Sequence, residues 1–193
     1  MPCAIGLRYS IDLASKQIII ALITKILVNK TMKRNYKALD SYDKRILELL
    51  QQDASLSNLE LADKVGLSPS PCSRRVQRLE EEGFISKRIA VLNQNALGLD
   101  LTAVIQINID QHTSERFKGF EAAIRELPEV QQCYLVTGQS ADYLLQVAVK
   151  DMHAYQDFLL NKITRIQGVS GVHSSFVMRK VVDSIAIPLD HLA

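Results

Sequence analysis

The fold of the first half of the chain is decided by the segment Gly66–Gly83, which reads GLSPSPCSRRVQRLEEEG. Gly66 adopts a left-handed backbone conformation at no steric cost, so a helix can end there in a tight turn. Ser68 is a good N-cap, and Pro69 fits the first helical position, where its missing N–H is not needed. The segment therefore predicts a turn followed by a helix that begins near Pro69 and ends at Gly83.

The predicted helix has one apolar face and one polar face. At about 100° per residue, the apolar stripe consists of Cys72, Val76 and Leu79. The opposite face presents Ser70, Arg74, Gln77 and Arg78. Because arginine suits guanine and glutamine suits adenine, this face carries side chains that read base edges in a major groove. Arg75 lies beside the apolar stripe, where we expect it to contact a phosphate or an acid of its own domain.

The residues on either side of this segment complete a DNA-binding layout. Apolar residues at helical spacing predict a first helix over Leu39–Asp53 and a short second helix after Ser57. The stretch Gly83–Leu92 alternates apolar and polar residues around Lys87 and Arg88, which predicts a small β-ribbon with a basic tip. A helix-turn-helix followed by a basic wing is a DNA-binding arrangement.

Double-stranded DNA is therefore the expected partner of residues 32–92. We expect base edges to be read by Ser70, Arg74 and Gln77. Phosphates are expected to be contacted mainly by Arg78, Lys87 and Arg88. The full set of candidate DNA-binding residues is Ser68, Ser70, Ser73, Arg74, Gln77, Arg78, Lys87 and Arg88. An exposed helix with three arginines is more often only a solvated surface, and the succession of turn, helix and basic ribbon is what favours DNA contact.

After a polar linker over residues 93–100, the hydrophobic period changes from helical to two. Within residues 101–193, alternating runs predict four strands and apolar stripes predict two helices. The predicted strands are residues 102–109, 130–137, 142–149 and 172–182, and the predicted helices are residues 117–127 and 151–166. The order β-α-β-β-α-β is that of a ferredoxin-like split βαβ unit, so we expect an α+β protein of two domains.

Two helices cover only one face of such a sheet. The other face still bears Val104, Tyr134, Val136 and alternate positions of the third and fourth strands. A half-apolar face that is open in a single chain favours association through the sheets. We therefore expect this domain to form a homodimer.

Composition and charge agree with a DNA-binding first half. Of the 193 residues, 47% are hydrophobic and 23% are charged, which is an ordinary globular composition. Residues 32–92 hold 11 basic and 9 acidic side chains, whereas residues 93–193 hold 8 basic and 11 acidic ones. A polyanion is therefore expected to meet the first half.

The reactive side chains indicate no cofactor, metal or catalytic centre. Cys3, Cys72 and Cys133 show neither a CxxC spacing nor a nearby histidine pair, which argues against a disulfide framework and a zinc site and favours a reducing cytoplasm. The sequence has no nucleophile constellation and no Gly-rich phosphate loop. We therefore expect a protein that is not an enzyme and needs no cofactor.

Residues 1–31 form an extra segment in front of these domains. Their apolar run, Ile18–Val28, is interrupted by Thr24 and Lys25 and is too short for a bilayer, which needs about 20 residues. Charged residues before the run argue against a signal peptide, so no membrane partner is expected. Either translation starts at Met32, or the segment is a genuine helix that packs on a partner.

The chain resembles the leucine-responsive and asparagine-related (Lrp/AsnC) transcriptional regulators of bacteria and archaea. The resemblance spans Leu39 to about Leu189 and is carried by Leu67–Glu80, by Val136–Gly138 with Asp142–Leu145, and by Ser174–Val177. It implies a winged helix-turn-helix joined to an amino-acid-sensing βαββαβ (RAM-type) domain. It also implies effector binding at sheet-sheet interfaces, in a dimer that often assembles into a higher even oligomer such as an octamer. Residues 1–31 lie outside it, which favours Met32 as the start.

The loop between the second and third strands is the candidate effector site. Gly138 lets the backbone approach a ligand, successive loop N–H groups can hold a carboxylate, and Asp142 can accept from an α-ammonium. The candidate effector-binding residues are Thr137, Gly138, Gln139, Ser140, Asp142 and Tyr143. The residues alone favour a plain hairpin turn capped by Asp142, and the resemblance favours an amino acid or related metabolite. The family usually has two residues between this glycine and this aspartate, whereas this chain has three, which weakens any transfer of ligand identity.

Two other functions stay open at this point. An architectural protein that wraps DNA without an effector would use the same helix and oligomer. Sirohaem decarboxylases resemble this architecture too, but they need imidazoles and basic groups that converge on a pocket. The histidines His112, His153, His173 and His191 are scattered and show no pairing in the sequence. The favoured function is a sequence-specific regulator of transcription that responds to an amino acid.

Overall fold

The computed structural model describes residues 38–137 and 140–191. The expectations for the 1–31 extension with its Met32 start, and for residues 138–139 of the effector loop, lie outside the described residues. None of the helices in the described part of the chain is long and apolar enough to cross a membrane.

The first unit is built on three helices, and each begins where the sequence supplies a cap. The helices are α1 (Ser41–Gln52), α2 (Asn58–Val65) and α3 (Pro69–Glu81). Asp40 and Asp43 form a reciprocal capping box at the start of α1, and Ser57 and Glu60 form another at the start of α2. Gly66 ends α2 with a φ of 76°. The predicted helix-turn-helix is confirmed.

The core of this unit contains the apolar stripe predicted for α3. Cys72 and Leu79 are both fully buried, and Val76 packs against them from the margin. The buried cluster consists of Ile46, Leu47, Leu49, Leu61, Ala62, Val65, Cys72 and Leu79. The opposite face of α3 is therefore turned to solvent.

The β-ribbon predicted over Gly83–Leu92 is not formed. The chain turns at Gly83, whose φ is 80°, and residues 86–93 continue without strand pairing. Ile89, Val91 and Leu92 are 55%, 78% and 70% exposed. A two-stranded ribbon is marginal in water when its apolar side is not packed, and these exposures show that side uncovered. The wing is an extended basic segment in the single chain.

The second unit is the predicted βαββαβ domain. Its elements are β1 (Leu101–Ile109), α4 (Ser114–Arg125), β2 (Val130–Leu135), β3 (Tyr143–Val149), α5 (Met152–Asn161) and β4 (Val169–Phe176). The strand order is β2-β3-β1-β4, and every neighbouring pair is antiparallel. Strand β4 was predicted to run to residue 182 but ends at Phe176, which pairs with Ala103 near the start of β1. Beyond that point β1 offers almost no further partner residues.

The core of the second unit lies between the sheet and helices α4 and α5. On β1, Ala103, Ile105 and Ile107 are fully buried on the helix side. The buried cluster consists of Ala103, Ile105, Ile107, Ile109, Phe120, Ile124, Tyr143, Leu145, Val147, Val149, Tyr155, Phe158 and Ile163. The predicted alternation along β1 is confirmed, and its other side chains face away from the helices.

The linker belongs to the second unit. Residues 93–100 contain a short 3₁₀ turn over Asn95–Leu97. Gln94 Nε2 donates to the carbonyl oxygen of Leu99 over 2.7 Å and to Thr102 Oγ1 over 3.0 Å. These bonds tie the linker to the start of β1.

The C-terminal residues 180–191, predicted as part of a domain over 101–193, pack with the first unit. Gln51 of α1 holds this segment by two hydrogen bonds. Its Nε2 donates to the carbonyl of Ile187 over 3.2 Å, and its Oε1 accepts from the N–H of Ile187 over 2.6 Å. Leu189 packs against the helical core. The segment is therefore held on the helices through the backbone of Ile187 and the partly buried Leu189.

Gly119 of α4 provides a test of packing in the second unit. A Cβ at Gly119 would meet nothing within 4 Å. Gly119→Ala should therefore stabilise the protein by about 0.5–1 kcal/mol, because glycine loses more backbone freedom on folding. Gly66→Ala should instead destabilise it by about 1 kcal/mol or more, because a φ of 76° strains an L side chain. Urea unfolding measured by circular dichroism compares the two, and a destabilised Gly119→Ala protein would contradict the open space beside α4.

Candidate functional site

The polar face of α3 is open to solvent, as the sequence predicts. The exposed residues on and beside it are Ser68, Ser70, Ser73, Arg74 and Gln77. The guanidinium of Arg74 has no hydrogen bond or ion pair to any residue in the described part of the chain. Gln77 Nε2 donates to Glu81 Oε1 over 2.8 Å at the exposed surface. Ser68 is the N-cap residue of α3, but its hydroxyl accepts no hydrogen bond from a helix N–H.

A buried carboxylate anchors α3 to α1. The side chain of Asp43 is 1% exposed, and its Oδ1 lies 2.8 Å from Arg75 Nη1. The same Arg75 nitrogen lies 2.7 Å from Asp40 Oδ2. The expectation that Arg75 contacts an acid of its own domain is therefore confirmed. Arg75 also lies 5.4 Å from the ring centroid of Tyr42, so α1 holds this side chain by charge and by a cation–π contact.

Arg78 differs from the prediction that it contacts phosphate. Its Nη2 lies 2.5 Å from Asp43 Oδ2, and 21% of its side chain is exposed. Its Nη1 is buried without a hydrogen-bond partner among the described residues. A helical wheel of α3 places Arg78 on the outer face because it takes no account of an acid on another helix. The sequence signal that could have revealed this pairing was Asp43, an acid that lies three residues before Ile46 on the apolar stripe of α1.

The charge pairs at this junction shift two pKa values. Burial alone would raise the pKa of Asp40, but the Asp43 amide and the Arg75 guanidinium donate to its carboxylate and lower the pKa overall. The hydrogen bond to Asp43 raises the pKa of Arg75 above its usual value, with a further contribution from Asp40. Both groups stay charged at neutral pH, so the contact between Asp40 and Arg75 is an ion pair.

The two basic residues of the wing are exposed. Lys87 extends into solvent, and Arg88 Nη2 lies 2.9 Å from Glu80 Oε1. The Arg88 and Glu80 side chains are 41% and 45% exposed. A pair so open to water contributes little to stability, and Arg88 can exchange Glu80 for another anion at small cost.

In the candidate effector loop, both oxygens of Asp142 are already engaged. Oδ2 accepts from the N–H of Ile109 over 2.7 Å, and Oδ1 lies 2.8 Å from Nε2 of His112. The sequence indicated no pairing for His112, and this contact corrects that expectation. The signal was missing because the two residues are brought together by the end of β1 and not by their spacing.

The other candidate effector residues divide between loop and core. Thr137 and Ser140 are exposed, and the carbonyl of Ser140 accepts from Asn108 Nδ2. Tyr143 is 1% exposed, and its hydroxyl donates to Glu121 Oε1 over 3.0 Å. The side chain of Tyr143 therefore belongs to the core, which corrects its place among the effector contacts. Gly138 and Gln139 lie outside the described residues.

The sheet face that points away from the helices mixes apolar and amide side chains. Val104, opposite Gln146 in β3, shares this face with Leu144, which lies opposite Tyr134 in β2. Tyr134 is 51% exposed. The face is less apolar than the alternation alone implies, because glutamine side chains stand between the hydrophobic ones. Gln146 Nε2 donates to Gln131 Oε1 over 3.0 Å.

The cysteines and acids provide no metal or nucleophile site in the described chain. Within residues 38–137 and 140–191, no group of three His, Cys, Asp or Glu side chains could hold a metal ion. Burial raises the pKa of the Cys72 thiol, and burial with the nearby Glu121 charge raises that of Cys133 to about 11. Neither thiol is an activated nucleophile at neutral pH.

Two protein families match the two halves of the chain. The family described as winged helix-turn-helix DNA-binding matches residues 39–86, and the Lrp/AsnC ligand binding domain matches residues 102–187. The transcriptional regulator AzlB of Bacillus subtilis is 40% identical over 154 residues, which are 80% of this chain and 98% of that protein. The leucine-responsive regulatory protein of Escherichia coli K12 is 41% identical over 152 residues, covering 79% of this chain and 92% of its own length.

Solved structures of similar proteins share both domains. A transcriptional regulator from Neisseria meningitidis, solved in complex with L-Met, is 38% identical with a TM-score of 0.78, over 81% of this chain and all (100%) of that one. Escherichia coli AsnC is 26% identical with a TM-score of 0.71, over 79% of this chain and 100% of its own. The similarity extends over both units described above.

The buried Asp43 pair predicts a large cost for its removal. Asp43→Ala should destabilise the protein by about 2–4 kcal/mol, because it leaves Arg78 without its acceptor and Arg75 with Asp40 alone, while both arginines keep some contact with water. Asp63→Ala, which removes an exposed acid of α2, is the matched control and should change stability by at most about 0.5 kcal/mol. Urea unfolding of the two variants measures the difference. Equal stability of the two would contradict Asp43 as the anchor of α3.

Proposed function

The chain belongs to the Lrp/AsnC family of transcriptional regulators, and on that premise we propose that it binds operator DNA through α3 under the control of an amino acid. The observation that carries this proposal is the contrast between neighbouring arginines of α3. Arg75 is held by Asp40 and Asp43, whereas Arg74 points into solvent without a partner among the described residues. A rigid helix with a free guanidinium on its outer face is suited to a major groove.

Base reading is assigned to Ser70, Arg74 and Gln77. Arg74 offers two parallel N–H groups to the O6 and N7 atoms of a guanine. The hydrogen bond from Gln77 to Glu81 lies at the exposed surface and is weak. When it breaks, the Gln77 amide can donate one hydrogen bond to an adenine and accept another from it. Ser70 is one turn closer to the N-terminus of α3, the end that meets base edges in helix-turn-helix proteins.

Phosphate contacts are assigned to the wing and to the start of α3. Lys87 and Arg88 supply charge, and the hydroxyls of Ser68 and Ser73 supply neutral donors. Arg78 is assigned to positioning, because its guanidinium is committed to Asp43 and 21% of its side chain is exposed. The pairs of Asp43 with Arg75 and Arg78 keep α3 in one orientation, while the wing follows the DNA backbone.

The effector is proposed to bind at the loop of residues 137–142. Backbone N–H groups of a loop can hold an α-carboxylate, and Asp142 can accept from the α-ammonium. In the free protein Asp142 accepts from Ile109 and pairs with His112, so an ammonium group would replace His112 at Oδ1. A ligand that makes this exchange alters the loop and thereby assembly, which requires different affinities in the two states.

The active form is proposed to be a homodimer, or a higher even oligomer such as an octamer, in the cytoplasm. The sheet face with Val104, Tyr134 and Leu144 is half-apolar and open in the single chain. Pairing of two such faces about a two-fold axis would present two α3 helices to an inverted repeat with half-sites about one helical turn apart, or a multiple of it.

No catalytic role is proposed. The relatives are transcriptional regulators, a class without enzymatic activity. In the described chain His112 pairs with Asp142, and His153 lies 3.5 Å from Asp157 on the surface of α5. His173 and His191 are exposed on other elements. The convergent imidazoles that tetrapyrrole chemistry requires are therefore not assembled in this part of the chain.

Replacement of Arg74 tests the reading of bases. With an operator selected from random duplexes, Arg74→Ala should lose about 1–3 kcal/mol of binding free energy and relax the preference at one base pair. Lys87→Ala should weaken specific and random duplexes nearly alike and lower the salt slope by about one. Lys118→Ala removes an equal charge from α4 and serves as the control. Fluorescence anisotropy titrations over a range of salt measure all three, and equal losses on operator and random DNA for Arg74→Ala would contradict the assignment.

Replacement of Asp142 tests the effector site. Calorimetric titration begins with L-methionine, which is bound in one structural relative, and continues through the other amino acids. Asp142→Asn keeps an oxygen for the N–H of Ile109 but loses the charge for an ammonium group. Its affinity should fall about tenfold or more, as expected for a lost charge-assisted hydrogen bond. Asp157→Asn on the exposed side of α5 is the matched control. Equal affinities in the two variants would remove Asp142 from the site, and an absence of heat with every amino acid would refute effector control through this loop.

A further inference from the structure

A cleft of about 640 Å³ opens on the helix side of the second unit, between α4 and the chain that follows α5. Its walls come from residues 111–123 and 162–167. Neither the candidate effector loop nor the open face of the sheet contributes a residue to it. Pockets for small molecules usually measure about 300–1,000 Å³, so the cleft is large enough for a small metabolite.

The charged side chains that line the cleft are mostly basic, and two of them pair with the neighbouring acids Asp110 and Glu129. Arg116, Lys162 and Arg165 line it, against the single acid Glu115. Arg116 comes from α4, whereas Lys162 and Arg165 come from the chain that follows α5. An anion placed between them would meet donors from both sides, which is the arrangement that charge-assisted hydrogen bonds require.

Arg116 is positioned before any ligand arrives. Its Nε lies 3.0 Å from Asp110 Oδ1 and its Nη2 lies 3.3 Å from Asp110 Oδ2. A guanidinium has five N–H groups, so this fork leaves about three for a ligand. A Cβ on Gly168 would come within 2.4 Å of Arg116 Cδ, so the side chain lies directly against a bare backbone. The N–H of Asp110 donates to the carbonyl of Gly168 over 2.8 Å and holds both partners in place.

Lys162 and Arg165 add further hydrogen-bond donors to the lining of the cleft. Lys162 Nζ pairs with Glu129 at one side, and its side chain is 40% exposed. Arg165 Nη2 donates to Asn161 Oδ1 over 3.1 Å at the exposed end of α5. Each cation is therefore held through one contact and keeps other N–H groups for the cleft.

Beyond Arg116, the residues of α4 that line the cleft are small. Gly119 presents backbone, since a Cβ there would meet nothing within 4 Å, and Ala123 lies one turn further along α4. Ile166 adds an apolar surface at the rim. A ligand for this cleft has anionic oxygens at one end and a small apolar body at the other.

We propose that this cleft binds a small organic anion whose carboxylate or phosphate oxygens pair with Arg116 and Lys162. The site is separate from the proposed amino-acid site, because a loop aspartate that accepts an ammonium is absent from its walls. It gives the protein a second small-molecule input, which takes an anion where the loop would take a zwitterion. Carboxylates and phosphate monoesters share the chemistry that the cleft recognises, and they are distinguished by experiment.

The test uses the full-length protein and two probes, succinate for carboxylates and glycerol 3-phosphate for phosphate esters. Calorimetry at constant ionic strength should show saturable binding of at least one probe, with a Kd of about 1 mM or tighter. The probe that binds more tightly identifies the ligand class. Failure of both probes to bind would overturn the proposal, and it would leave the DNA and amino-acid sites unaffected.

Two variants inside the cleft and one control outside it locate the binding. Arg116→Gln should weaken the better probe about tenfold or more, whereas Arg125→Gln removes an equal charge from the same helix outside the cleft and should change affinity less than about twofold. Gly119→Met fills the cleft without changing charge and should also abolish binding, while its unfolding midpoint shows that the fold is kept. Equal affinities in the Arg116→Gln and Arg125→Gln proteins would reduce the effect to general surface charge and refute the site. Selective loss of random-duplex binding in Arg116→Gln, without binding of either probe, would assign the cleft to the DNA backbone and refute it as well.

Discussion

The buried carboxylate of Asp43 is the constraint on which the DNA-binding half depends. A charge with 1% side-chain exposure requires counter-charges, because its desolvation costs several kcal/mol. Arg75 and Arg78 supply them from α3, so this helix cannot rotate about its axis without leaving the carboxylate unpaired. Arg74, the next residue along the helix from Arg75, is thereby held toward solvent with its donors free. The Arg75 charge, which stabilises the fold, and the Arg74 charge, which is proposed to contact DNA, are adjacent in sequence. They point in different directions because successive residues of a helix are rotated by about 100°.

Carboxylates organise the second unit in a similar way. Asp142 joins the end of β1 to His112. Asp110 holds Arg116 beside the backbone of Gly168, directly before β4. These contacts are formed in the free protein, so a ligand meets side chains that are already oriented. At the proposed effector site they also set a cost, because an ammonium group at Asp142 would have to displace His112. Amino acids that make additional contacts with the loop or with a second subunit would offset that cost best.

Apolar segments that the single chain leaves uncovered agree with a protein that works as an assembly. Val91 of the wing is 78% exposed, and in the chain after β4 Met178 and Val182 are 96% and 80% exposed. Water-exposed apolar runs of this kind mark interaction surfaces in globular proteins. Their backbone groups are unpaired where the sequence predicted a ribbon and a longer fourth strand. Strand-like sequences remain extended here because pairing needs a neighbour that the single chain does not supply.

The sequence by itself determined the two-domain order, the caps, the turn at Gly66 and the faces of α3 and β1, because these depend on residues within about one helical turn or on strict alternation. It also indicated that Arg75 contacts a phosphate or an acid of its own domain. Only the tertiary structure decided between these and identified the acids, since Arg75 lies 32 residues from Asp43 and 35 from Asp40 in the chain. The same holds for Asp142 with His112, for Tyr143 in the core, and for Gln51 with Ile187 across 136 residues. Periodicity states which way a side chain points from its own element, whereas its partner is set by where the other elements pack.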